Sequence, residues 1–209
     1  MKITSVILAG GKNLRLGRNK ALESINGKSL IERVIERLSP LSNRILIVTS
    51  REGVDLPVAG KAEILADIYP GKGPLGGIYT GLTASRSSRC IVVACDMPFL
   101  NTRLLGYMVK LSRDFDAVVP RLDGEMLEPL HAIYSKKCLD SIRATLEQDQ
   151  LRTYSFFNAV RVRYLERAEC QKFDPQLLSF FNINFPADLD RAIALAPEVD
   201  VGRNSLVQN

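Results

Sequence analysis

Short apolar runs alternate with stretches of helical period along most of the chain, which predicts an α/β fold. Residues 3–8 and 90–95 read as buried strands. Residues 45–49 form a continuous, largely β-branched run without alternation, as expected of a strand covered on both faces. Leu30, Ile31, Val34, Ile35 and Leu38 recur at helical spacing, and Ser29 with Glu32 three residues on supplies a capping box. Residues 62–65 are a weaker strand candidate. Residues 69–78 hold two prolines and four glycines, which predicts a loop feeding a helix that runs to about Ala84. Asn101 or Thr102 caps a helix with Leu104, Leu105, Met108 and Leu111 on its apolar face. Residues 117–119 and 127–134 predict a hairpin across Asp123-Gly124, so an antiparallel element joins a mostly parallel sheet. A helix over 137–147, a strand near 160–164 and a last helix over 186–195, with proline in its first turn, complete the pattern. Residues 198–209 lack periodicity and read as a loose tail, leaving a single domain over 1–197.

Composition narrows what such a fold does. With 209 residues and 46% apolar content, the chain fills one core and is short for two. No run approaches a membrane span and no signal-peptide pattern opens the sequence, so a cytoplasmic protein without a membrane partner is expected. Cys90, Cys95, Cys138 and Cys170 show no C-x-x-C spacing, and Cys90 and Cys95 read as small core residues. A single histidine, His131, argues against an ordinary zinc site and against a Ser/His/Asp triad without a nucleophile-elbow pattern. No covalent intermediate is implied. The net charge of +5 is scattered and lacks aromatic-basic alternation, which points away from nucleic acid and toward an anionic small molecule. Arg15, Arg18, Lys20 and Lys72 all fall in or beside glycine-containing loops where a polyphosphate could bind.

Candidate chemistry starts at the first strand's end. The run Leu8-Ala9-Gly10-Gly11 turns sharply and brings backbone N–H groups against an anion, and Arg15 and Lys20 follow it. It is neither a P-loop nor a G-x-G-x-x-G turn. Asp96 ends the apolar run 90–95, where a carboxylate has no packing role and suits Mg²⁺ shared with nucleotide phosphates. Asp67 stands between a strand candidate and the glycine segment, as a ligand group or a plain turn residue. Gly73, Pro74, Leu75 and the glycines to Gly77 leave room for a planar ring beside backbone groups. Asn182 and Asn184, two residues apart in an extended segment, can address one ligand, although Asn184 could equally cap the helix that follows.

These motifs, together with Cys95-Asp96-Met97-Pro98 and residues 182–189, resemble the MobA-like nucleotidyltransferases, in order from residue 3 to about 195. The resemblance implies a three-layer, Rossmann-like (GT-A-like) nucleotidyltransferase fold. It further implies transfer of GMP from GTP, with Mg²⁺, to the terminal phosphate of molybdopterin or its molybdenum-loaded form, releasing pyrophosphate. By the same resemblance Leu8, Ala9, Gly10 and Gly11 take the base and sugar, Thr49 or Ser50 borders the base, and Asp67 hydrogen-bonds the nucleotide. Lys20 and Arg15 meet the phosphates, Asp96 binds metal and nucleotide, and Asn182 and Asn184 place the pterin. Other molybdenum cofactor biosynthesis proteins or target apoenzymes are implied as partners. Relatives using CTP resemble L-A-A-G where this chain has Leu8-Ala9-Gly10-Gly11, which tilts the reading toward GTP. A cytidylyltransferase, a sugar- or polyol-phosphate nucleotidyltransferase, and a non-catalytic GTP-binding regulatory module stay open as alternatives. Residues 128–134 resemble a family segment near the acceptor pocket, with His131 read as structural. Phe185 stands where Thr is more usual, which leaves the cap of the last helix open.

Overall fold

A computed structural model describes residues 3–10, 20–50, 55–58 and 60–204, with side chains as far as Asp200. Gly11, Arg15 and Arg18 lie outside the described residues. Seven strands form one mixed sheet in the order β5-β4-β1-β6-β8-β7-β9. In chain order the larger elements are β1 (Thr4–Leu8), β2 (Ser24–Ile25), β3 (Lys28–Ser29), α1 (Leu30–Leu38), β4 (Arg44–Thr49), β5 (Glu63–Ala66) and α2 (Gly73–Ala84). They continue as β6 (Arg89–Ala94), α3 (Thr102–Leu111), β7 (Ala117–Arg121), β8 (His131–Ser135), α4 (Leu139–Glu147), β9 (Val162–Glu166), α5 (Arg167–Gln171) and α6 (Pro186–Asn204). Strands β5, β4, β1 and β6 are parallel, and β8 runs antiparallel between β6 and β7.

The strand period of two sorts the core into two faces. Ile7, Ile47, Ile91 and Ile133 point to the side covered by Ile31, Val34, Ile35 and Leu38 of α1 and by Leu104, Leu105 and Met108 of α3. Val6, Leu46, Val92 and Tyr134 point to the other, against Leu75, Ile78 and Leu82 of α2 and Ile142 and Leu146 of α4. The result is helix, sheet, helix. A third cluster joins α6, through Ala192 and Ala196, to Ile25, Leu30 and Phe99. No helix among the described residues is long and apolar enough to cross a membrane.

Local signals for α1 and α3 agree with the structure. Ser29 and Glu32 make the capping box, and the Asn101 side chain accepts from the amides of Arg103 and Leu104. Elsewhere tertiary demands win. The expected loop over 69–78 is helical from Gly73, because its glycines are where α2 lies against β1 and the turn before it. A Cβ on Gly76 would stand 2.8 Å from Tyr69 O, and one on Gly81 would stand 2.3 Å from Val6 Cγ1. The expected strand over 127–134 is regular only from His131; Leu127 makes an isolated bridge to Arg121, and Pro129 has no N–H to continue a ladder. The strand expected near 160–164 is β9, two residues later, and the helix expected over 137–147 opens with a 3-10 turn at Lys136–Cys138. The last helix does not stop at Pro197. It runs to Asn204, and Asp200 within it is held by the buried guanidinium groups of Arg33 and Arg37 at 3.0 and 3.1 Å. The β2-β3 hairpin, with Asn26 and Gly27 both at positive φ, and α5, with a Glu166/Glu169 capping box, are further additions to the expected order.

Candidate active site

Chain connections reverse direction at β1, whose neighbours are β4 on one side and β6 on the other. In an open α/β sheet this is where the loops beyond the strand ends part and leave a crevice. Backbone bonds carry the ladder past the strands and fix what stands there: Ala9 N donates to Val48 O, Cys95 N to Leu8 O, and Asp67 N to Thr49 O, at 2.9, 3.1 and 2.8 Å. The crevice is a cavity of about 790 Å³.

Most of the expected site residues meet in it. Leu8, Ala9 and Gly10 arrive from β1, Thr49 and Ser50 from β4, Asp67 from β5, Gly73 and Pro74 from the start of α2, and Asp96 from β6. Lys20 enters from the 3-10 turn that it opens, and Asn182 and Asn184 from the extended segment before α6. Leu75 does not belong with them. Its side chain is fully buried under α2 among Val6, Leu46 and Val48, because a helix starting at Gly73 turns that position toward the sheet. Lys72 also leaves the cavity, where its ammonium pairs with Asp149 at 2.7 Å on the exposed surface. Cys95, expected in the core, lines the cavity wall.

The polar centre is a three-way contact. Lys20 Nζ lies 3.3 Å from Asp96 Oδ2 and donates to Asn184 Oδ1 at 2.9 Å. Asp96 is tied to the same segment through its backbone, since Ile183 N donates to Asp96 O at 3.1 Å. Asn184 does not cap α6. Asp188 does, accepting from the amides of Asn184 and Phe185 at 2.8 Å each, and those bonds hold its carboxyl below the usual range. A phenylalanine at 185 is therefore tolerated: the helix is capped from inside its first turn, and the Asn184 side chain is left to the cavity. Asn182 spends one amide hydrogen on Phe180 O at 3.2 Å.

Asp67 is partly a turn residue. Its Oδ1 accepts from Tyr69 N at 3.0 Å and from Thr80 Oγ at 2.7 Å, anchoring the chain as it enters α2. Gly10 is a close-approach glycine, for a Cβ there would stand 3.3 Å from Ser50 N. The first turn of α2 supplies the positive end of a twelve-residue helix at the cavity edge, which favours an anion.

Four lining residues had weaker sequence signals: Thr153, Pro129, Leu130 and Glu128. Burial pushes the Glu128 carboxyl up to about 7. Burial and the neighbouring Asp96 charge raise the Cys95 thiol to about 12, so it is not a nucleophile at neutral pH. His131 is fully buried behind the cavity, its ring 4.7 Å from that of Phe180, and burial lowers its pKa to about 4. An ammonium, a carboxylate, helix amides and two asparagines without an activated nucleophile suit direct displacement at a phosphate, held by charge and position.

The comparisons with known proteins agree with this chemistry. A family model described as the MobA-like NTP transferase domain matches residues 5–162. The chain is 35% identical over 207 residues to a protein of Pelotomaculum thermopropionicum named "Probable molybdenum cofactor guanylyltransferase", covering 99% of this chain and 100% of that one. It is 34% identical over 195 residues to the molybdenum cofactor guanylyltransferase of Desulfosudis oleivorans, covering 92% and 95%. The crystal structure of molybdopterin-guanine dinucleotide biosynthesis protein A from Archaeoglobus fulgidus superposes with a TM-score of 0.82 at 32% identity, covering 94% and 100%. A crevice at the β1 switch point that gathers Lys20, Asp96 and Asn184, on a sheet matched over this length, belongs to a member of the MobA-like NTP transferase family.

Proposed function

We propose that the protein is a molybdenum cofactor guanylyltransferase, moving GMP from GTP to the terminal phosphate of molybdopterin or its molybdenum-loaded form, with pyrophosphate as the leaving group. The observation that carries the reading is the Lys20–Asp96–Asn184 contact, which lies between the ends of β1, β4 and β5 and the Asn182–Asn184 segment. The first group of elements supplies backbone and small side chains for a nucleotide, and the second supplies amides for an acceptor.

The acceptor phosphate is ionised at neutral pH and needs no general base. Its oxygen attacks the α-phosphorus in line as the bond to pyrophosphate breaks. Lys20, Arg15 and the amides opening α2 offset the charge that gathers on the phosphorus and the leaving group. The Asn184 side chain, fixed by Lys20 and by the bonds from its own and the next amide to Asp188, orients the acceptor.

A divalent cation fits the residues present. Among the described residues no cluster of three acidic, His or Cys ligands occurs, and Asp96 offers one hard carboxylate facing the cavity. That donor set suits Mg²⁺, which takes one or two carboxylates and otherwise keeps water and substrate phosphate oxygens. Asp96 would hold it, and when bound the ion supplies neutralisation of the phosphate charge.

Four nucleoside triphosphates tested with Mg²⁺ and molybdopterin, read by pyrophosphate release, decide the matter. GTP turns over and CTP, ATP and UTP do not. Preference for CTP, or no pyrophosphate with any of the four, overturns the proposal.

A further inference from the structure

The cavity has two halves, with Asp96 between them. Antiparallel pairing sets Val93 opposite His131, and Ala94 N donates to Leu130 O at 3.1 Å, so residues 128–130 stand beside the end of β6, on its far side from β1. Three strand spacings separate β8 from β4, about 14 Å, which removes this segment from Ser50 and the nucleotide side. Asn182 and Asn184 line the same cavity, and Asn182 donates to the carbonyl of Phe180, whose ring lies 4.7 Å from that of His131 at the start of β8.

Glu128 is firmly mounted there. Its amide donates to Pro120 O at 3.0 Å, its carbonyl accepts from His131 N at 3.1 Å, and the Tyr134 hydroxyl donates to Pro129 O at 2.9 Å. Glu128 lines the cavity beside Pro129 and Leu130, and no hydrogen bond or ion pair to its carboxyl occurs among the described residues. Two adjacent carboxylate oxygens held this way match a flat ligand that presents two adjacent N–H donors. The 2-amino-4-oxopyrimidine edge is such a ligand. Both substrates of the proposed reaction carry it, in guanine and in the pterin.

Resting on that proposed function, we infer that Glu128 is a specificity-determining residue that accepts hydrogen bonds from the ring N–H and 2-amino group of the acceptor's pterin. The position of residues 128–130 beyond β6 favours the pterin over guanine as the source of the edge. A carboxylate without a protein partner is matched by a ligand with both donors and opposed by the carbonyl oxygen of an analogue bearing a 2-oxo group, which is disfavoured.

Equilibrium binding of pterin against lumazine, its 2-oxo analogue, and of GTP against XTP, tests this on the full chain and on Glu128→Gln. The wild-type protein prefers pterin about 10- to 100-fold, as expected for hydrogen bonds to a charged group. In Glu128→Gln that preference collapses, while the GTP-over-XTP ratio stays within about twofold and reports an intact fold and nucleotide half. Collapse of the GTP-over-XTP ratio instead assigns Glu128 to guanine and overturns the inference. So does an unchanged pterin preference, or equal wild-type binding of pterin and lumazine. Pyrophosphate release by the wild-type protein is scored separately: turnover with an unaltered pterin preference in Glu128→Gln sinks this inference alone, whereas absence of turnover sinks the proposed activity.

Discussion

Between pH 6.5 and pH 5, a buried imidazole and a half-buried carboxyl pull the folding stability in opposite directions, and replacing either one exposes the other. His131 is fully buried, neither ring nitrogen has a hydrogen-bond partner among the described residues, and its pKa falls from 6.5 to about 4. The unfolded chain takes up this proton as the pH drops through 6.5, and the folded chain waits until about 4. Stability from His131 is thus complete above 6.5 and is lost on acidification, by about 1.6 kcal/mol between pH 6.5 and 5. Glu128 has the reverse sign. Its folded pKa is raised from 4.5 to about 7, so its contribution is present below 4.5 and is lost as the pH rises. Over the same interval it returns about 1 kcal/mol on acidification, after allowance for the solvent that still reaches a half-buried carboxyl. The carboxylates held low by partners, namely Glu32, Glu63, Glu166 and Asp188, lose stability only as the pH falls below their ordinary values of 4.5 and 3.8, outside the interval. Urea unfolding at four pH values and constant ionic strength therefore finds the wild-type protein nearly level, within about 1 kcal/mol. Under the same conditions His131→Leu gains about 1 kcal/mol on acidification and Glu128→Gln loses about 1.6. Slopes are compared, so any packing cost of the substitutions drops out. Parallel slopes in the two variants, or a wild-type loss above about 2 kcal/mol, refute the reasoning.

Three other perturbations follow from the same contacts. Asp96→Asn keeps the fold and lowers pyrophosphate release about a hundredfold or more, and a near-normal rate removes Asp96 from the metal role. Gly81→Ala places a Cβ against Val6, where overpacking of about 2–3 kcal/mol outweighs a helix-propensity gain of about 1. Its melting temperature drops by about 2–8 °C in calorimetry, and an unchanged value means that β1 and α2 are not locked together. Asp200→Asn leaves the buried Arg33 and Arg37 without their carboxylate and costs about 1–3 kcal/mol in urea unfolding, read against Asp190→Asn as a surface control.

Elements whose cause is local were legible from residues alone. The capping box of α1, the asparagine cap of α3 and the apolar run of β6 need only their own neighbourhoods, and each lies where its pattern predicts. Elements whose cause is distant were not. Four glycines in twelve residues argue against a helix until Tyr69, Leu8 and Val6 are packed on three of them, and Leu75 is then carried into the core. Pro197 argues for a stop until Asp200 is set between two arginines more than 160 residues earlier. Asn184 looks like a cap until Asp188 takes that work and leaves its side chain to Lys20.

For the same reason the half of the cavity proposed for the nucleotide is easier to read than the half proposed for the acceptor. A search for chemistry at the carboxyl ends of parallel strands finds Gly10, Ser50, Asp67 and Asp96, because β1, β4, β5 and β6 all point at the crevice. Strand β8 runs the other way, so the residues it brings to the crevice are those that precede it. Glu128 stands before a strand, next to a proline that ends regular pairing, where a carboxylate resembles an ordinary turn residue. Only the reversal at β8 turns it inward. An enzyme joining two substrates across one sheet edge can thus draw one set of contacts from strand ends and the other from a strand's beginning. The second set is found by asking which strand is antiparallel before asking which residues are polar.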